Sequence, residues 1–206
     1  MKLQHIKLAT WVFALTIFIT TTLVGISLYT NKENLKNQQI VKYVFTKKVE
    51  QYRPLVTDYA EKYDVEEHVD VILAMMMQES GGRGTDPMQA SESLCGEIGC
   101  ITEPEKSIEQ GVYYFSETLA AADGDIELAV QSYNFGIGFV HYAKDKDEPY
   151  SLDLAIEFSQ EMYKNAEDPS IYTCLREEAK QYDACYGDIY YARDVLEYKN
   201  QFARTD

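Results

Sequence analysis

Glu79 closes an apolar run, Val71-Ile72-Leu73-Ala74-Met75-Met76-Met77, and is followed at once by Ser80-Gly81-Gly82-Arg83-Gly84. Val69, Ile72, Leu73 and Met76 recur at helical spacing, so the run predicts a buried helix that ends in a carboxyl. The glycines let the chain turn sharply beside that carboxyl. At the mouth of a core, desolvation raises a carboxyl's pKa, and a neutral Glu poised to release a proton is what cleavage of a glycosidic bond requires. A solvated helix-end residue is the other reading, and periodicity alone favours it.

The elements that must position this residue are helical. Periodicity and helix formers predict helices over roughly 51–63, 67–79, 105–122, 125–134, 137–144, 151–165 and 188–203. Pro104 with Glu105 suits a first turn, as does Ser151 with Asp153. Asp123-Gly124-Asp125-Ile126-Glu127 lacks the twelve-residue ligand set of a calcium loop, and Asp125 reads as a helix N-cap or the turn before one. No alternating strand pattern or internal repeat appears, so the fold class is all-α. Between Glu79 and Glu105 lies an irregular stretch of about 25 residues, long enough in a compact domain to suggest function. Most of the 17 Tyr and 8 Phe are expected in the core, which the 46% apolar content supports.

Charge divides the chain. Residues 1–48 carry seven Lys and one Glu, net +6, which leaves −21 of the total −15 on residues 49–206. So acidic a body repels phosphate backbones and excludes nucleic acid as an expected partner. Leu8 to Asn31 holds no charged residue and is mostly apolar, about the length that spans a bilayer. Trp11 and Tyr29 lie towards its two ends. The expected order is a cytoplasmic tail at 1–7, a single-pass transmembrane signal anchor at 8–30, a stalk at 31–50 and a helical domain at 51–206. A cleaved signal peptide is the rival reading, with only a poor cleavage site at Gly25 and Ser27. Lysines flank both ends of the span, so they do not orient it.

Glu79-Ser80-Gly81-Gly82, then Asp86-Pro87-Met88-Gln89-Ala90-Ser91, then Gln131-Ser132-Tyr133-Asn134-Phe135-Gly136 resemble the goose-type lysozyme and lytic transglycosylase superfamily. The set looks most like the bacterial lysozyme-like module of CwlT-type cell-wall hydrolases. The likeness continues through Ser107–Phe115, Ser151–Ser159 and Tyr186-Gly187-Asp188-Ile189-Tyr190-Tyr191, covering nearly all of residues 50–200. It implies an all-helical lysozyme fold that cleaves peptidoglycan glycan strands between N-acetylmuramic acid and N-acetylglucosamine. Glu79 would be the catalytic acid and Asp86 the second carboxylate. Gln89 and Ser91 match a cleft motif, Tyr133 and Asn134 line a sugar subsite, and Tyr190 and Tyr191 are alternatives for the far wall. Either Asp86 positions a water for hydrolysis, or the muramoyl 6-hydroxyl attacks and gives a 1,6-anhydro product. A weakly active peptidoglycan-binding scaffold is the reading from another class, motivated by the acidic body. A wall substrate places the body outside the membrane. It leaves growth, septation, and opening the wall for a conjugation or secretion apparatus as roles open to it. The Cys-dependent peptidase domain of CwlT-type proteins has no counterpart expected within these residues.

Cys95, Cys100, Cys174 and Cys185 form an even set in a chain with a membrane leader, which permits disulfides. Four cysteines allow three pairings. Closeness in sequence favours Cys95 with Cys100 and Cys174 with Cys185, against four reduced thiols. With no Cys-x2-Cys and only His5, His68 and His141, a metal site is the weaker reading, and no metal or cofactor is expected.

Overall fold

A computed structural model describes residues 26–36, 40–41 and 43–202. They fall into two compact units, one ending at Val44 and one beginning at Phe45. The expected tail at 1–7 and most of the expected anchor at 8–30 lie outside the described residues. In the first unit residues 26–36 are helical, with Ile26, Leu28 and Leu35 exposed. No helix among the described residues is long and apolar enough to cross a membrane.

The second unit is all-helical, with no strand among the described residues. It opens on helical residues 45–50, and the helices that follow are α1 (Arg53–Lys62), α2 (Val69–Glu79), α3 (Ser91–Cys95), α4 (Pro104–Ala121), α5 (Ile126–Phe135), α6 (Gly138–Lys146), α7 (Leu152–Asn165), α8 (Glu177–Lys180) and α9 (Tyr191–Phe202). The starts follow the sequence signals. Asp125 accepts a hydrogen bond from the Leu128 amide and Ser151 one from the Leu154 amide, each satisfying an orphan donor of a first turn. Pro104 opens α4, where its missing N–H costs nothing. The irregular stretch after Glu79 contains α3.

The folded body reaches further back than residue 51. Val49 is fully buried, and Phe45 and Tyr52 pack against the same core. The compact unit therefore takes in residues 45–50, which the sequence division assigned to the stalk.

Helix α2 is the centre. Residues Val71 to Met77 are all buried, so α2 is apolar around its whole circumference rather than on one stripe. Burying each of Ile72, Leu73, Met75 and Met76 contributes roughly 1.5–3 kcal/mol. α9 and α1 pack on α2, α4 lies against α1 and α5, and α5 also meets α9 and α6. A helix so enclosed cannot shift without opening the core, which makes α2 a fixed rail for the residue at its end.

Candidate active site

Glu79 is the last residue of α2. The helix stops because the Ser80 and Gly81 amides turn back onto the Met76 and Met77 carbonyls, with Gly81 at φ +63°. A side chain at Gly81 would also put its Cβ 3.0 Å from the Phe45 ring, so both conformation and space require glycine there. The Ser80 hydroxyl then donates to the Pro87 carbonyl at 2.8 Å and accepts from the Arg83 amide at 3.1 Å, folding the loop back on itself.

Glu79 is half-buried at the surface, but protein crowds its carboxyl closely. Burial pushes that carboxyl up to about 7, against a lowering hydrogen bond from Tyr191 and with raising contributions from the charges of Asp86 and Asp188. Tyr191 is buried, and its hydroxyl donates to Glu79 Oε1 at 2.7 Å. Of the two tyrosines left open by the sequence, it is therefore Tyr191 that touches Glu79. The Tyr190 ring instead faces the Arg193 guanidinium at 4.2 Å.

Asp86 lies near enough to raise Glu79 by its charge, but its own carboxylate is engaged elsewhere. Oδ1 accepts from the Ala90 amide at 2.8 Å and the Ser107 hydroxyl at 2.6 Å. Oδ2 accepts from the Ser91 amide at 3.1 Å and the Ser91 hydroxyl at 2.6 Å. Burial alone would raise this group; the hydrogen bonds from Ser107, Ser91 and the two amides outweigh it and hold Asp86 below the usual carboxylate range.

A cavity of about 270 Å³ is lined by Gln89, Glu92, Tyr114, Tyr133, Asn134 and Tyr186, among others. Tyr133 donates its hydroxyl to the Met88 carbonyl at 2.9 Å, and its ring lies nearly parallel to that of Tyr191, 6.4 Å away. A chain of contacts thus runs from the cavity wall through Tyr133 and Tyr191 to Glu79. The Asn134 side-chain oxygen accepts from the Asp188 amide at 2.7 Å. Gln89 sits at φ +49° and donates to the Asp86 carbonyl at 2.8 Å. Ser91, expected with Gln89 in the cleft motif, is placed differently from Gln89. It is buried, lies outside the cavity lining, and turns its hydroxyl inward to Asp86 and the Ile101 amide.

Residues that periodicity did not single out complete the frame. Gln131 donates to the Asp188 carbonyl at 2.8 Å and accepts from the Ala192 amide at 3.1 Å, joining α5 to the start of α9. Asp188 is buried and paired with Arg176 at 2.7 Å, and Arg176 also holds Asp194 at 2.6 Å. Ser107 is fully buried. Gln131, Ser107 and Asp188 lie inside the motifs, but only their three-dimensional partners mark them out; nothing in the sequence marked Arg176.

Disulfides join Cys95 to Cys100, with Cα atoms 6.8 Å apart, and Cys174 to Cys185, with Cα atoms 4.2 Å apart. The pairing is the one that closeness in sequence favoured. Among the described residues no cluster of His, Cys, Asp and Glu is arranged to hold a metal ion.

An all-helical body around an enclosed apolar helix, with a desolvated carboxyl at that helix's end, has the architecture of a lysozyme-type domain. The chain belongs to the lysozyme-like family, whose model matches residues 46–199, and its body is a lysozyme-like module of the CwlT type. It is 32% identical over 186 residues to the uncharacterized membrane protein YocA of Bacillus subtilis, covering 88% of this chain and 82% of that one. Over 112 residues it is 44% identical to the bifunctional muramidase/DL-endopeptidase CwlT of the same organism, covering 54% of this chain but only 34% of CwlT. The crystal structure of a lipoprotein-like protein of the NLP/P60 family from Staphylococcus aureus superposes with a TM-score of 0.64 at 36% identity, covering 73% of this chain and 52% of that one.

Proposed function

We propose that this protein, an enzyme of the glycoside hydrolase or lytic transglycosylase type, is a membrane-anchored muramidase that cleaves the N-acetylmuramic acid to N-acetylglucosamine bond of peptidoglycan. The observation that carries the reading is the Glu79 carboxyl, pushed up to about 7 by burial and oriented by the buried Tyr191 hydroxyl. A carboxyl that keeps its proton near neutral pH is suited to general acid catalysis on a glycosidic oxygen. Tyr191 engages Oε1, which leaves Oε2 to carry and deliver the proton. As the bond from C1 to the leaving oxygen breaks, that oxygen takes the Glu79 proton, and the carboxylate left on Glu79 offsets the positive charge growing on the sugar. The tyrosine-lined cavity offers ring faces and amides suited to sugars. Sequence likeness to a protein named as a muramidase supports the same substrate.

Two fates follow for the sugar cation. Water adds at C1 and gives a reducing end, or the muramoyl 6-hydroxyl adds and gives a 1,6-anhydro end; in either case the O–H proton passes to the Glu79 carboxylate and restores the acid. Hydrolysis is the primary reading. The engagement of Asp86 by four donors favours the second, because such a carboxylate has little capacity left to steer a water. Mass spectrometry of muropeptides released from purified peptidoglycan separates the two, and mainly anhydro ends would reject hydrolysis. No release of muropeptides by folded wild-type protein would favour the binding-scaffold reading.

Anchoring through residues 8–30, with the body facing the wall, is supported by the uncharged apolar run there and by likeness to YocA, which is named a membrane protein. Protease added to wall-stripped cells should remove the body while sparing a cytosolic control; full protection would overturn the topology.

A further inference from the structure

We infer that Asp86 is a positioning residue, a carboxylate clamp that holds the 86–101 loop as one wall of the sugar-binding cavity, and not the group that activates a nucleophile. The inference rests on the glycosidase reading for its kinetic consequences only.

An ionised carboxylate has about four lone-pair sites. The Asp86 carboxylate meets four donors, two on each oxygen: the amides of Ala90 and Ser91 and the hydroxyls of Ser91 and Ser107. Both hydroxyls are relays. Ser107 accepts from the Met88 amide at 2.9 Å, and Ser91 accepts from the Ile101 amide at 3.1 Å. One carboxylate thereby fixes, directly or through one hydroxyl, the amides of Met88, Ala90, Ser91 and Ile101. Ser107 belongs to α4 and is fully buried, so the loop is tied to the core and not merely to itself. The Cys95–Cys100 disulfide closes the same loop between Ser91 and Ile101.

The clamp bears on substrate through what it carries. Gln89, held on the Asp86 carbonyl, and Glu92, on α3, both line the cavity. The Met88 carbonyl receives the Tyr133 hydroxyl, so the position of that ring depends on the same loop. A base, by contrast, needs a free lone pair aimed at the proton it takes.

The test compares wild type, Asp86→Asn and Ser107→Ala in the full chain. Hydrogen exchange is read at the amides of Met88, Ala90, Ser91 and Ile101, and peptidoglycan kinetics are measured with and without azide. Hydrogen bonds to a charged group are worth enough that exchange should rise about tenfold or more at the Ala90 and Ser91 amides in Asp86→Asn, with Met88 and Ile101 following as their relays loosen, and at the Met88 amide in Ser107→Ala. Displacing a substrate wall should lower kcat/KM about 10- to 100-fold, mainly through KM, with no recovery on adding azide. Amides as protected in Asp86→Asn as in wild type would overturn the clamp. Recovery of rate by azide with a glycosyl azide product would overturn it too, because that is the signature of a vacated base position. If Asp86→Asn does not fold, Ser107→Ala carries the exchange comparison, and normal protection there is equally fatal. Wild-type protein without activity would sink the glycosidase reading, while the exchange measurements would still decide the clamp.

Discussion

Tyr191 donates its phenolic hydrogen to Glu79 Oε1 at 2.7 Å across 112 residues of chain, bringing the start of α9 to the end of α2. The bond lowers the Glu79 pKa, because it is stronger to the carboxylate than to the neutral acid, while burial raises it to a net value of about 7. The acid form is the working form, so kcat/KM should fall with a basic limb near pH 7. In Tyr191→Phe the lowering contribution is gone, and the limb should move to higher pH. Loss of orientation should reduce kcat by roughly tenfold. A pH–rate profile on soluble glycan fragments checks both; a limb that stays put or moves to lower pH would refute the coupling.

Removing the carboxyl separates activity from stability. Glu79→Gln should lower activity by about 10²–10⁴-fold, the range attributed to a general acid. The folded pKa of Glu79 is raised above its unfolded value of 4.5, so the folded state binds this proton more tightly than the unfolded chain. Its burial is therefore tolerated below about pH 4.5 and becomes increasingly unfavourable as pH rises to about 7, reaching on the order of 3 kcal/mol. Glu79→Gln, which cannot ionise, should then be more stable than wild type at pH 8, with the gap closing at pH 4. Urea unfolding at the two pH values measures it.

Much of this architecture is legible along the chain. Of the helices α1 to α9, the seven longer ones follow from periodicity and from end signals such as Asp125, Ser151 and Pro104, because those signals act through the next three or four residues. The carboxyl at the end of an apolar helix is visible for the same reason. What the sequence hides are pairings across long separations. Nothing near Asp86 says that Ser107, 21 residues on, will occupy its carboxylate, and nothing near Ser91 says that its hydroxyl turns inward. Whether Tyr190 or Tyr191 meets Glu79 depends on the helical phase at the first turn of α9, a shift of one residue that periodicity does not resolve. The body's start at Phe45 is hidden because the exposed lysines at 47 and 48 make a helical segment, whose one fully buried residue is Val49, read as stalk.

Gly187 is a position where both conformation and space exclude a side chain. Its φ is +62°, and a Cβ would lie 2.7 Å from the Phe135 ring and 2.8 Å from Asn134 Oδ1. Asn134 is the residue whose oxygen holds the Asp188 amide, so the clash falls on the joint between α5 and α9. Gly187→Ala should cost about 2–4 kcal/mol of stability from overpacking and backbone strain together, and should reduce activity by displacing Asn134. Thermal unfolding gives the first quantity and turnover at 20 °C below the variant's own midpoint gives the second, so that loss of folded protein is not mistaken for loss of function. A variant as stable as wild type would mean that the Asp188 turn yields more readily than its contacts imply.

The Cys174–Cys185 disulfide and the Arg176 pairs brace one segment. Arg176 is two residues from Cys174, and its guanidinium binds the buried Asp188 through Nε at 3.0 Å and Nη2 at 2.7 Å while Nη2 also meets Asp194. Removing the arginine leaves Asp188 buried with no cation, which should cost about 3 kcal/mol in Arg176→Met. The disulfide closes a short loop, so its loss in Cys174→Ser/Cys185→Ser should cost at most roughly 2–3 kcal/mol. The two changes act on one brace, and their effects should fall short of additive when combined, because a loosened loop has already given up part of the Arg176 contact. Thiol titration of the denatured, unreduced protein should find none of the four cysteines free. Urea unfolding of wild type, each variant and the combination then measures the coupling, and strictly additive losses would show that the disulfide and the Arg176 pairs stabilise the fold independently.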